Sequence, residues 1–192
     1  MKMNIFNISK NLQKGRGMSS PAFLFISALA SIFILYALFI SPLQANAEQD
    51  AKEKADALLK EASSLYNEGN MDKALTTVKE AIAISPEYPE AYDQLGFVLL
   101  KKGQLDDAIN AFNSALKINP RFRTSKTGIG LALLKKGDTS GAEAILKEAL
   151  TLNPYPSMTH YALGLVYEKL NDFENSTLQF KEGIKTYKSG KR

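Results

Sequence analysis

QLGFVLLKKGQLDDAINAFNSALKINP, residues 94–120, and GIGLALLKKGDTSGAEAILKEALTLNP, residues 128–154, decide how this chain is read. Laid one above the other, they share Leu-Leu-Lys-Lys-Gly at 99–103 and 133–137, and both close on Asn-Pro, at 119–120 and 153–154. The offset is 34 residues. The same ruler aligns Gly96 with Gly130 and Gly164, Ala74 with Ala108 and Ala142, Ala81 with Ala115 and Ala149, and Pro86 with Pro120 and Pro154. It runs from 55 to 190 without insertion or deletion. A fixed period of this length is the mark of a repeat architecture, in which each unit buries its apolar face against its neighbours.

Each unit reads as two helices. In the second, Tyr92, Leu95, Gly96 and Leu99 follow the i, i+3, i+4, i+7 spacing of one buried helix face. Lys101-Lys102-Gly103 then ends the helix, with cations at its negative end and a glycine free to adopt a left-handed cap. The next helix carries Leu105, Ala108, Ile109, Phe112, Ala115, Leu116 and Ile118 and stops at Asn119-Pro120. Small residues at 96, 108 and 115 let the two helices approach, and bulky Leu95 and Phe112 fill the space between them.

This pattern resembles the tetratricopeptide repeat, whose signature is an aromatic, Leu-Gly, a tyrosine, alanine, an aromatic, alanine and proline. The unit 89–122 carries Tyr92, Leu95-Gly96, Ala108, Phe112, Ala115 and Pro120, with Leu99 in the tyrosine position. The unit 123–156 keeps Ile129-Gly130, Leu133, Ala142, Leu146, Ala149 and Pro154 but has Lys126 where an aromatic belongs. The unit 55–88 has Leu58, Ala62, Leu65, Ala74, Val78, Ala81 and Pro86, with Glu61 replacing the leucine. The unit 157–190 has His160, Leu163-Gly164, Tyr167 and Phe180, and departs at Ser176, Gly183 and Lys188. The resemblance implies an all-α solenoid, a right-handed superhelix of four helix-turn-helix repeats whose first helices line a concave groove. Departures in the outer units fit array ends, and a last helix over 173–187 is expected to leave Phe173, Phe180 or Tyr187 partly exposed.

Charge and composition remove several function classes. The net charge of +4 comes from Lys2, Lys10, Lys14 and Arg16, in a stretch 1–47 with no acid. Of the 24 basic residues, 20 remain beyond it against 20 acidic ones, so the repeats are neutral. Nucleic-acid binding needs a basic field on the folded part and is not expected. With no cysteine there is no disulfide, thiolate metal site, cysteine nucleophile or lipoprotein-type anchor. A single histidine, His160, leaves no histidine-rich metal site.

The amino terminus points to a membrane. After a basic leader, 1–20, PAFLFISALASIFILYALFI at 21–40 is uncharged and long enough for a bilayer core of roughly 30 Å. The positive-inside rule places the leader in the cytoplasm and the repeats on the extracytoplasmic side. Residues 21–43 are either a retained single-pass anchor, touching the membrane through 22–40, or the core of a signal peptide cut after Ala47, which would leave a soluble exported protein. Residues 44–54 are expected to be a linker running into the first helix, and 191–192 a short tail.

No constellation supports an enzyme, a cofactor or a metal. Gly128 and Gly130 suggest a nucleotide loop, but Leu133 stands where a dinucleotide fingerprint needs a third glycine. Lys126-Thr127 precedes the glycines, the reverse of a phosphate loop. Asp106-Asp107 starts a helix and complements its dipole. Asn175-Ser176-Thr177 has the form of a glycosylation acceptor and reads as a helix-surface triplet.

What remains is a surface. With Leu95 at zero on a wheel of about 100° per residue, Asp93, Phe97, Leu100 and Lys101 fall on the face turned away from the hairpin core. Phe97, Leu131 and Leu165 share one repeat position and form an apolar stripe, flanked by Leu100 and Leu134, with Tyr161 across from Leu165. A contiguous exposed apolar surface marks an interaction site. The lysines and asparagines with which some members of the resembled family grip a peptide's terminal carboxylate are replaced here by Asp93, Phe97, Thr127, Leu131, Tyr161 and Leu165. The expected function is a non-catalytic adaptor holding an apolar helix or extended peptide of a protein partner. The alternative is a structural subunit of a cell-envelope assembly, such as secretion, pilus or cell-wall machinery, packing through repeat ends and self-associating through the last repeat.

Overall fold

The computed structural model describes residues 41–152 and 156–189. Among them are eight α-helices and no strand: α1 Ser41–Asn67, α2 Met71–Ile84, α3 Pro89–Lys102, α4 Leu105–Ile118, α5 Arg123–Lys136, α6 Thr139–Leu152, α7 Ser157–Lys169 and α8 Phe173–Lys188. Each 34-residue unit forms one hairpin, and each hairpin packs on the next. The first helices of neighbouring units also touch, α3 against α5 and α5 against α7. The result is an all-α solenoid.

The turns inside the hairpins explain the recurring glycines. Gly69, Gly103 and Gly137 have φ of 84°, 80° and 91°, the left-handed region, and Asn171 takes the same repeat position at 60°. At Gly103 the turn lets its own N–H and that of Gln104 reach the carbonyls of Leu100 and Leu99, closing the end of α3. A side chain there meets no neighbour but strains the backbone. Gly137→Ala is therefore expected to lower unfolding free energy by about 1 kcal/mol in urea titration.

The core is built by large residues set against glycines. Gly96, Gly130 and Gly164, one repeat apart on the first helices, face Phe112, Leu146 and Phe180 on the second helices, and a methyl group at any of them would overlap that side chain. Phe112 is closed from its other side as well, by Gly128 of the next unit, so its ring lies fully buried between two helices of different repeats. Gly128 and Gly130 are thus packing glycines inside α5.

Adjacent units are also stitched by polar contacts at repeating positions. Leu59 and Ala91 share an apolar cluster. One repeat on, Asp93 accepts hydrogen bonds from the hydroxyls of Ser125 (2.6 Å) and Thr124 (2.9 Å). Another repeat on, the hydroxyls of Thr127 and Thr159 pair at 2.8 Å in a buried site. Outside, Lys102 meets Asp72 and Lys136 meets Asp106, each bridging one unit to the one before. Such exposed pairs contribute at most about 1 kcal/mol, so the apolar interfaces hold the array. Lys126 ion-pairs with Glu148 of α6, which gives the third unit a polar hairpin contact in place of an aromatic one.

Two expectations need revision. Residues 44–54, expected as a linker and the start of the first helix, are helical throughout and belong to α1, because QANAEQDAKEK is built almost wholly of strong helix formers. Leu100 is not groove lining: it is 7% exposed and sits in the central cluster with Ile129 and Ala132 of α5. The direct contact of α3 with α5 covers that flank of the helix. The leader 1–20, the apolar segment 21–40 and the tail 191–192 lie outside the described residues. Among the described residues no helix is long and apolar enough to cross a membrane.

Candidate functional site

The first helices α1, α3 and α7, together with the loop before α5, enclose an open groove of about 510 Å³. Phe97, Phe122 and Met158 supply its apolar surface, Tyr66 a further ring, and Glu90 and Asp93 its acids. That volume lies within the range of small-ligand pockets and is also wide enough for one or two side chains of a partner. Phe97 is held in place from below: its ring meets that of Phe112 edge to face, with centroids 5.0 Å apart and planes at 75°. The same Phe112 that joins units two and three therefore supports the groove floor.

Asp93 sets the electrostatics. Burial pushes its carboxyl up to about 6, and Glu90 nearby pushes in the same direction. The hydroxyls of Ser125 and Thr124 hold it back only partly. Among the described residues no lysine or arginine forms an ion pair with it. Gln94, also lining the groove, donates from Nε2 to the Ser63 hydroxyl (2.7 Å) and the Leu59 carbonyl (3.1 Å), which fixes the α1–α3 side of the groove.

The residues singled out from the sequence divide three ways. Asp93 and Phe97 line this groove together. Leu131 and Leu165 are half-buried, as is Leu134, and Leu131 packs against the clusters on both sides of it. Lys101 is exposed at the end of α3. Tyr161 is also exposed, but it sits elsewhere, on the face of the last unit, with its ring 5.7 Å from that of Phe180.

Sequence reasoning missed Ser63, Tyr66, Asn67, Glu90, Gln94, Phe122 and Met158. The 34-residue ruler already held some of them, since moving back one unit from Phe97 and Leu100 lands on Ser63 and Tyr66. Phe122 gave no such signal, because a loop residue belongs to no helix face. His160 pairs its Nδ1 with Gln179 Oε1 at 2.8 Å, a contact within the last hairpin. Among the described residues no group of histidine, aspartate and glutamate lies close enough together to hold a metal ion.

Comparison with known proteins agrees with this architecture. Two family models, both described as tetratricopeptide repeat, match residues 65–124 and 129–185, together more than half of the chain. No curated protein sequence matches it. Among solved structures, the chain is similar to TTC0263, a thermophilic tetratricopeptide-repeat protein of Thermus thermophilus, with 25% identity and a TM-score of 0.65 over 69% of this chain and 74% of that one. PilF of Pseudomonas aeruginosa shares 22% identity at a TM-score of 0.63, over 71% of this chain and 63% of that one. The first such domain of Spaghetti (RPAP3), solved with the HSP90 peptide SRMEEVD, shares 17% at a TM-score of 0.57, over 62% and 95%. The latter two likenesses concern the fold alone. From its period, its glycine-against-phenylalanine packing and these matches, the chain belongs to the tetratricopeptide repeat family, whose arrays are scaffolds for binding other proteins.

Proposed function

We propose that this protein is a non-catalytic adaptor that grips a segment of another protein in the groove between its first helices. The segment is apolar, with a lysine or arginine beside its apolar side chains. The observation that carries this is the pairing of Phe97, Phe122 and Met158 with Asp93 and Glu90 around one opening. An acidic, aromatic-lined groove favours a cation on an apolar stem and opposes an acidic peptide of the SRMEEVD kind. Leu131, Leu134 and Leu165 extend the apolar surface along the first helices in this reading.

Peptides displayed on phage and selected on the immobilised full chain provide the test. Apolar sequences with one or two basic residues are expected to be enriched, and Phe97→Ser and Asp93→Asn to abolish the enrichment. Selection of acidic peptides, or of the same peptides by both variants, would overturn the assignment.

The adaptor works outside the cytoplasm in this proposal, held by residues 22–40 or released by cleavage after Ala47. The basic leader, the uncharged segment and the neutral repeats support that placement. Intact mass of the natural protein separates the two forms, since a chain starting at Glu48 is exported and a longer one is tethered. A second reading, a structural subunit of an envelope assembly that packs through its ends, has its own support. Seven of the nine large hydrophobic side chains exposed among the described residues lie between Met158 and Tyr187, in the last unit.

A further inference from the structure

We infer that the last repeat is a self-docking surface, through which two copies of this chain pair tail to tail with their α8 helices antiparallel. The inference rests on the reading of that repeat as a contact surface; of the residues lining the slot only Met158 also lines the groove.

The array itself shows what the surface lacks. At each inner junction the large residue of a second helix is closed from above by a small residue of the next unit: Phe112 by Gly128, and Leu146 by Ala162 within one cluster. Phe180 holds the same position in the last unit. Its ring lies over Gly164 and beside Tyr161, and on its other side opens an apolar slot edged by Met158, Gly183, Ile184 and Tyr187. Ile184 and Tyr187 are 55% and 64% exposed, whereas Leu116 and Leu150, the counterparts of Ile184, are partly buried against neighbouring units. The slot repeats the inter-repeat interface once more, and no described residue of another unit covers it.

The opposite end of the array does not fit it. Where the inner units carry Gln94, Leu95 and Val98 against the unit before, the first unit presents Lys60, Glu61 and Ser64, all exposed. Head-to-tail stacking would bury Lys60 and Glu61 against an apolar slot, and charges buried without partners are strongly disfavoured. The end surface that matches the slot in polarity is the slot of a second copy. Such an interface is isologous and closes at two subunits.

Charge along α8 agrees with an antiparallel pairing. Of its two acids, Glu174 stands in the first turn and Glu182 pairs with Lys185 at 3.3 Å, while Lys181 and Lys188 lie on the flank of Glu174 towards the end. Crossing two such helices antiparallel sets Glu174 against Lys188 of the partner subunit twice, while Phe173, Phe180 and Ile184 face inwards.

The chain has no cysteine, so one introduced thiol is unique. In the full chain, solubilised in detergent, Lys181→Cys lies near the proposed twofold axis, and Glu61→Cys marks the opposite end. A short bismaleimide is expected to convert most of the Lys181→Cys protein to a covalent dimer and to leave Glu61→Cys monomeric. Adding Ile184→Glu, an exposed position whose change leaves helix content intact, is expected to abolish the Lys181→Cys product and the dimer in sedimentation. No product from Lys181→Cys overturns the proposal, including the case of a dimer held only by residues 22–40. A product formed only when the two variants are mixed overturns it in favour of head-to-tail stacking. Peptide selection at the groove is unchanged by Ile184→Glu, so the two readings fail separately.

Discussion

Phe112→Ala is expected to lower the free energy of unfolding by about 3–5 kcal/mol. The ring is fully buried, and on two sides it rests on the glycines at 96 and 128. Those glycines belong to the backbones of α3 and α5 and cannot move into the hole as flexible side chains could. The transfer loss is therefore joined by nearly the whole cavity cost. Because Phe112 belongs to unit two and touches unit three, its loss also uncouples the two halves of the array. Stability in repeat proteins is close to a sum of unit and junction contributions. Urea unfolding followed by circular dichroism is expected to broaden or divide into two transitions. The partner variant gives an internal check. Gly128→Ala in the natural chain overlaps the ring and is destabilising by about 1–3 kcal/mol. In the Phe112→Ala background the same methyl group enters vacated space and favours the helix, so its effect changes sign. A cycle with additive effects would refute the idea that Phe112 keys both glycines.

Asp93→Asn is expected to stabilise the fold at pH 7.5 by about 2–3 kcal/mol. Burial pushes the Asp93 carboxyl up to about 6, above its ordinary value near 3.8. Between those values the folded chain holds a proton that the unfolded chain has released, so stability falls as pH rises through that window. Above it the whole cost of the buried charge persists. Below pH ~4 both states are protonated, and the advantage of the amide disappears. Thermal midpoints from pH 4 to 8 are expected to converge at the acidic end and part at the basic end. Equal midpoints throughout would show that the charge is not strained. The amide can still accept from Ser125 and donate to Thr124, so the α3–α5 junction keeps its contacts. The same substitution is expected to abolish the enrichment of basic peptides. A carboxylate that costs stability and aids binding is a common trade at functional surfaces.

The fold was legible because its causes are local and repeated. Gly103 and Gly137 announced left-handed turns, and Gly96, Gly130 and Gly164 announced close helix contacts, each visible as a 34-residue echo. The groove was legible only in part. Asp93 and Phe97 followed from a helical wheel, but a wheel describes one helix alone. It placed Leu100 on the open face, and the neighbouring α5 covers it. It placed Tyr161 across from Leu165, and the ring turns instead to Phe180 at the end of the array.

By itself, then, the sequence determined the period, the helical hairpins, the positions where glycine must stand and the absence of cysteine chemistry. Each of these is carried by the order of residues along the chain and by its echo 34 residues away. Only the tertiary structure decided that Phe112 is shared by two units and that Phe122 and Met158 complete the groove. It also decided that the carboxyl of Asp93 is raised and that no described residue of another unit covers the slot beside Phe180. These depend on what the next unit brings against a given face, and burial, not residue type, sets both the energy of a charge and the availability of an apolar ring.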